Sequence, residues 1–259
     1  MRWIRGYYRI CFTGLILGLG GTLVTLTSWI SIEVRGFRIS FWILVATVRS
    51  LLRVLNVRIS CADKPVFRAH HGFIFPNHVS FADALVMVAI TPVRFLAKAE
   101  IRSWPVIGMI AKAIGCVFVK REDKKSRSEA RAALAKVETV PPIALFPEGK
   151  RGPGDELLPF RYGAFEIAIG GQSSILPSAI IYDPLDIIIW RRGESLLSAV
   201  WRTACYAGPI NADVFALEAI QTNSESDPVA LSIETRKQIA AALQQSQSDD
   251  LAAEASASQ

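Results

Sequence analysis

The stretch Asn77-His78-Val79-Ser80-Phe81-Ala82-Asp83 sets an imidazole and a carboxylate five residues apart, directly after the apolar run Gly72-Phe73-Ile74-Phe75-Pro76. On a regular helix these two side chains would not meet, because positions i and i+5 diverge by about 140° with a rise of about 7.5 Å. They meet if His78 stands in the turn before a helix and Asp83 lies within it. The Asp carboxylate then accepts the proton on one ring nitrogen and leaves the other as a general base. A nearby helix N-terminus also disfavours the imidazolium and keeps that base neutral. On spacing alone the plainer reading is a His that caps a helix beside a solvated Asp, so the rest of the chain has to decide. A serine hydrolase built on Ser80 is a poor fit: no GxSxG turn is present, and Ser80 reads as a helix-start hydroxyl.

A second chemical stretch follows about seventy residues later, Leu145-Phe146-Pro147-Glu148-Gly149-Lys150-Arg151-Gly152-Pro153-Gly154-Asp155. Here an apolar run opens into a Gly/Pro-rich loop with one acid and two adjacent bases. Backbone N–H groups together with Arg and Lys suit an anion, and Arg grips a phosphate bidentately. Glu148 would orient Arg151 or hydrogen-bond a substrate hydroxyl. Taken alone, a solvated turn describes this loop equally well. A third element, Gly115-Cys116-Val117-Phe118-Val119-Lys120-Arg121, puts two cations at the end of another apolar run.

Positioning such groups requires a scaffold, and from Val66 onward the chain alternates short apolar runs with amphipathic ones. Strands are expected at Phe73–Phe75, Val93–Ala97, Cys116–Val119, Ile143–Phe146, Ile175–Ile181 and Ile187–Trp190, with helices at Val79–Ile90, Ile101–Ile114 and Lys124–Val137. This rhythm predicts an α/β fold with a mixed, mostly parallel sheet flanked by helices. Parallel strands gather their carboxyl ends on one edge, where open α/β sheets place ligands. After Thr222-Asn223-Ser224-Glu225-Ser226-Asp227-Pro228 a helix is expected from about Val229 to Gln244. The Ser/Ala/Gln-rich remainder to Gln259 is expected to be disordered.

The net charge of +6 does not indicate nucleic acid, because of where it sits. Residues 1–58 carry eight arginines and a single acid, Glu33, and the rest of the chain holds 21 basic and 22 acidic residues. The surplus thus belongs to an apolar N-terminal part, as expected of a segment against anionic headgroups. Residues 10–32 hold no charged side chain, long enough to cross a hydrocarbon core of about 30 Å. Ser, Thr and the Gly18-Leu19-Gly20-Gly21 cluster dilute that run, so a span, a re-entrant hairpin and interfacial helices all remain. Gly14-x-x-x-Gly18 weakly suggests close helix packing. No cleavage site for a signal peptide is evident. The Ile39–Ile59 segment carries Arg49 and Arg53 on one face and suits a helix lying in the interface. Four scattered cysteines and a mean hydropathy of +0.31 fit a reduced, membrane-seated protein at the cytoplasmic face of the cell's inner membrane. The expected division is a membrane-associated helical region over 1–58, an α/β domain over 59–221, and a C-terminal helix and tail over 222–259.

These blocks, in this order over roughly residues 66–182, resemble the glycerolipid acyltransferase family. Asn77, His78, Ser80 and Asp83 match its NHxSxxD block, and Gly115, Phe118 and Arg121 its GxxFxxR block. Phe146-Pro147-Glu148-Gly149-Lys150-Arg151 is similar to its FPEGTR block, with Lys150 where the family usually has Thr. Ile175-Leu176-Pro177-Ser178-Ala179-Ile180 is similar to its Pro-containing strand, and Lys98 and Glu100 stand in a family-like setting. The resemblance implies that His78, oriented by Asp83, deprotonates the free hydroxyl of 1-acylglycerol-3-phosphate for attack on the thioester of acyl-CoA or acyl carrier protein, giving phosphatidic acid. Asn77, Lys98, Phe118, Arg121, Glu148, Gly149, Lys150, Arg151 and Pro177 would bind substrate. It implies no cofactor, no metal and no covalent intermediate, with membrane lipids as partners. Lys150 puts the acceptor's identity in doubt, and a lyso-ornithine lipid or another lysophospholipid is the alternative acceptor. A non-catalytic lipid-binding module would not need the His–Asp pair.

Overall fold

The structure is a computed structural model and describes residues 1–120, 123–136, 140–154 and 156–257. The chain opens with α1 (Arg2–Thr27), a hairpin of β1 (Glu33–Val34) and β2 (Phe37–Arg38), and α2 (Ile39–Val54). The main sheet comprises β3 (Val57–Ser60), β4 (Phe73–Pro76), β5 (Arg94–Lys98), β6 (Val117–Val119), β7 (Ile143–Ala144), β8 (Ile175–Asp183) and β9 (Ile210–Ala216). Its spatial order is β3-β9-β8-β4-β7-β5-β6, and every neighbouring pair is parallel except β8 with β9. Helices α3 (Lys64–Ala69), α4 (Asp83–Ile90), α5 (Ile107–Ala113), α6 (Lys124–Lys136), α7 (Tyr162–Gly170), α8 (Leu185–Ile188), α9 (Leu196–Cys205) and α10 (Pro228–Ala257) complete the chain. The mixed, mostly parallel sheet flanked by helices is thus the expected one.

The central strand β4 shows why both faces are covered. Every residue from Phe73 to Pro76 is buried, as a parallel strand between helical layers requires. Ile74 points into a core with Val86 and Ile90 of α4, Leu176 and Ile180 of β8, and Phe41, Leu44, Val45, Val48 and Leu52 of α2. Phe73 and Phe75 point the other way, to Phe165 and Ala168 of α7 and Ile239 of α10, and the Phe75 ring meets Phe165 edge-on at 5.1 Å.

Several expectations need correction. Helix α4 begins at Asp83, not Val79, because Ser80 is held extended in a bridge to Ile189. The Ile101–Ile114 helix is divided: a 3₁₀ turn over Ala99–Ser103 precedes α5, with Pro105 and the positive φ of Val106 between them. Ile187–Trp190 is not a strand but the end of α8 followed by that single bridge. Strands β3 and β9 were not expected; the alternating burial of Ile210, Ala212 and Val214 carried the signal for β9, masked by Asn and Asp, poor strand formers. The tail continues α10 to Ala257, since no Gly or Pro follows Pro228 to stop a helix. Arg121, Val137 and Asp155 lie outside the described residues.

The two N-terminal helices also differ from expectation. Helix α2 does not lie on the outside: its buried side runs from Ser40 to Leu52, and Arg49 donates to the Ala89 carbonyl at the end of α4 at 2.8 Å. Helix α1 is continuous through its glycines. Thr22, Thr25 and Thr27 donate their hydroxyls to the carbonyls of Gly18, Gly21 and Leu23 at 2.7–2.9 Å, so they do not interrupt it. A Cβ on Gly20 would strike Thr47 of α2 at 2.2 Å and one on Gly21 would strike Val106 at 2.5 Å, whereas Gly14 and Gly18 face open space. The close-packing glycines of α1 are therefore Gly20 and Gly21, with Gly6, whose Cβ would meet Cys205 Sγ at 2.6 Å, and not Gly14 or Gly18. Arg5 and Arg9, expected among lipid headgroups, donate to the carbonyls of Cys205, Ala204 and Tyr206 at the C-terminus of α9, where a helix favours cations.

Candidate active site

Strand β8 continues past the end of β4, and that overhang organises the site. Pro76 pairs with Ser178, and the next residue, Asn77, completes the ladder with its side chain. Its Nδ2 donates to the Ile180 carbonyl at 2.9 Å and its Oδ1 accepts from the Ile180 N–H at 2.7 Å. Asn77 is buried and fixes the chain direction as it leaves the sheet; it is not the substrate contact expected of it.

The chain then turns around the Asp83 carboxylate, which is fully buried. Asp83 Oδ2 accepts from the backbone N–H groups of Val79 and Ser80, each at 2.8 Å, and meets His78 Nδ1 at 2.7 Å. Because the two amides can only donate, Oδ2 is an acceptor and Nδ1 must carry the proton. Nε2 is then the basic nitrogen, on a side chain 22% exposed. Tyr182 of β8 donates to Asp83 Oδ1 at 2.8 Å; burial, then the adjacent carboxylate, raise its phenol well above the usual value. Phe146 stacks on the imidazole at 4.2 Å. Ser80 is buried, its hydroxyl donating to the Ile188 carbonyl at 2.7 Å, so it holds the loop after β8 and offers no nucleophile.

Glu148 comes from the loop after β7, and it does not orient Arg151. One oxygen accepts from the His78 N–H at 2.7 Å and the other from the Leu158 N–H at 3.1 Å. At 1% exposure, it staples the histidine turn to its own loop, aided by Gly152 N–H donating to the His78 carbonyl at 2.7 Å. Burial pushes its carboxyl up to about 7, against the two amides, which pull it down. Gly149 turns the loop at φ +70°, a conformation that favours glycine. Lys150 is exposed. The Arg151 guanidinium lies 3.5 Å from the centroid of the Trp190 ring, its Nε buried with no hydrogen-bond partner among the described residues.

The remaining expected residues are not at the dyad. Pro177 is buried inside β8 opposite Phe75, a sheet position and not a substrate contact. Lys98 ends β5, two strands from β4, and pairs with Glu100 at 3.1 Å. Phe118 is on β6, one strand further, beneath Arg102 at 5.8 Å. At about 4.8 Å per strand these lie about 10 and 14 Å along the sheet edge. An open pocket there is lined by Ala99, Glu100, Lys120 and Asp123, and by no residue of the dyad. Tyr182 and Trp190 were missed: each is a lone aromatic far along the chain from His78, and only strand pairing brings it near.

An acyltransferase domain is what this sheet and its blocks define: residues 58–181 match the family model described as Acyltransferase. That match takes in just under half of the chain, and over it the sequence is similar to lyso-lipid acyltransferases. It is 30% identical over 135 residues to the 1-acyl-sn-glycerol-3-phosphate acyltransferase of Neisseria meningitidis, covering 52% of this chain and 53% of that one. The chain thus spans about half the length of that relative. It is 28% identical over 217 residues to the lyso-ornithine lipid O-acyltransferase of Brucella abortus, covering 76% and 79%. The fold matches the crystal structure of the 1-acyl-sn-glycerophosphate acyltransferase of Thermotoga maritima with a TM-score of 0.72 at 15% identity, over 94% and 96% of the two chains.

Proposed function

We propose that the chain moves a fatty acyl group from acyl-CoA or acyl carrier protein to the free hydroxyl of 1-acylglycerol-3-phosphate, giving phosphatidic acid. The observation that carries this reading is the His78–Asp83 pair with its tautomer fixed. His78 Nε2 takes the hydroxyl proton as the oxygen attacks the thioester carbonyl, Asp83 steadies the imidazolium, and collapse of the adduct forms the ester and expels the thiolate, which recovers the proton from His78. Proton transfer of this kind contributes about 10²–10⁴-fold. Arg151, with Lys150 at the loop surface and Arg121, would hold the acceptor's phosphate, and Lys98 and Phe118 would serve at the far end of the cleft. Lipid substrates fit a domain seated on a membrane. The outward face of α1, with Tyr8, Phe12, Leu15, Leu19, Leu23 and Leu26 all exposed, supports that placement, and the cytoplasmic side of the inner membrane is the proposed one.

The extent of the match to the Brucella abortus protein supports a second acceptor, a lyso-ornithine lipid, whose headgroup carries a carboxylate in place of a phosphate. Purified protein incubated with both lyso-lipids and labelled acyl-CoA or acyl carrier protein decides between them. The expected result is labelled phosphatidic acid, with turnover at least 10²-fold lower for His78→Ala at unchanged melting temperature. Near-normal turnover in that variant removes the mechanism, and release of free fatty acid alone would indicate a hydrolase.

A further inference from the structure

The loop after β8 carries Trp190; three contacts tie this loop to the histidine turn and a fourth fixes the indole within the loop. Trp190 N–H donates to the Val79 carbonyl at 3.0 Å, Ile189 bridges Ser80, Ser80 Oγ donates to the Ile188 carbonyl, and the indole Nε1 donates to the Glu194 carbonyl at 2.9 Å. The ring is thus a fixed surface, and the central carbon of the Arg151 guanidinium stands over it, 3.5 Å from its centroid. The two carboxylates that act on that guanidinium, Asp83 and then Glu194, are already engaged: Asp83 accepts from His78, Val79, Ser80 and Tyr182, and Glu194 pairs with Arg202 and accepts from the Arg191 N–H. Among the described residues Arg151 makes no hydrogen bond or ion pair. An arginine held by a carboxylate is neutralised by it, whereas one held by an aromatic face keeps its charge and its in-plane N–H donors.

We infer that Trp190 is a positioning residue for the acceptor: its indole holds Arg151 with its free donors presented to the anionic headgroup of the lyso-lipid. The inference rests on the acyl-transfer reading above. It is tested on the full chain in detergent with Trp190→Leu, Trp190→Phe, Arg151→Ala and the double variant Trp190→Leu/Arg151→Ala. Trp190→Leu is expected to raise the KM for 1-acylglycerol-3-phosphate about tenfold, between the scales of an exposed and a desolvated cation–π contact, with kcat and the donor KM within twofold. Trp190→Phe should recover most of the loss, and Trp190→Leu should add less than twofold to Arg151→Ala. A drop in kcat with both KM values unchanged, or an equal loss with and without Arg151, overturns it. Calorimetric binding of 1-acylglycerol-3-phosphate separates this inference from the reaction assigned. Trp190-dependent binding without transfer overturns the reaction and sustains the platform, while Trp190-independent binding beside intact transfer does the reverse.

Discussion

Two carboxylates stand beside His78, and their environments give them different work. Asp83 faces four donors and holds the imidazole; Glu148 faces two amides and joins loops. The raised pKa of Glu148 therefore bears on stability. In the folded protein it moves from 4.5 to about 7, so the folded state binds more protons than the unfolded one between those values, and stability falls as pH rises through that window. At about 1.4 kcal/mol per pH unit the upper bound is ~3 kcal/mol. Urea unfolding should show the wild type losing stability relative to Glu148→Gln from pH 4.5 to 7 and running level with it above pH 7.5. A difference independent of pH would mean that Glu148 is ionised throughout.

At the scale of elements, the packing of α1 depends on two glycines without side chains, Gly20 against Thr47 of α2 and Gly21 against Val106 and Ile110 at α5. Gly20→Leu has to displace Thr47, and overpacking of this kind costs about 1–3 kcal/mol. Gly18→Ala meets nothing and removes the glycine penalty of a helix interior, a gain of about 0.5–1 kcal/mol. Melting temperatures in detergent should therefore fall for the first variant and rise or hold for the second, although the residues are neighbours in one glycine cluster. Equal effects would show that α1 is not packed on α2. The Asn77–Ile180 pairing belongs to this scale as well: a side chain prolongs a strand pair by one position and so aims the turn that carries His78.

For the whole molecule, the N-terminal region is two things. The outer side of α1 is an apolar surface available to lipid, whereas α2 belongs to the sheet's core. Each of Phe41, Leu44, Val45, Val48, Leu52 and Leu55, all in that core, contributes about 1.5–3 kcal/mol by burial. Together they match or exceed the net stability of a typical domain, about 5–15 kcal/mol. Removal of residues 1–31 should leave a folded protein, shown by retained far-UV circular dichroism and a cooperative melt, with reduced binding to anionic vesicles. Removal of 1–58 should give an aggregated chain. Undiminished vesicle binding without α1 would move the lipid contact elsewhere on the domain.

Much of this was legible in the chain. His78 and Asp83, the loop from Glu148 to Arg151, and the alternation of apolar runs with helices are local patterns, and local patterns express backbone periodicity and side-chain chemistry directly. The roles of Glu148 and Asn77, the place of Tyr182 and Trp190, and the burial of α2 are long-range facts. They follow from strand order and from the extra length of β8, which bring residues about a hundred positions apart into hydrogen-bonding distance. A sequence determines which groups are able to do chemistry; which of them face the substrate and which bind the protein to itself is decided only when the sheet closes and each buried polar atom must find its partner.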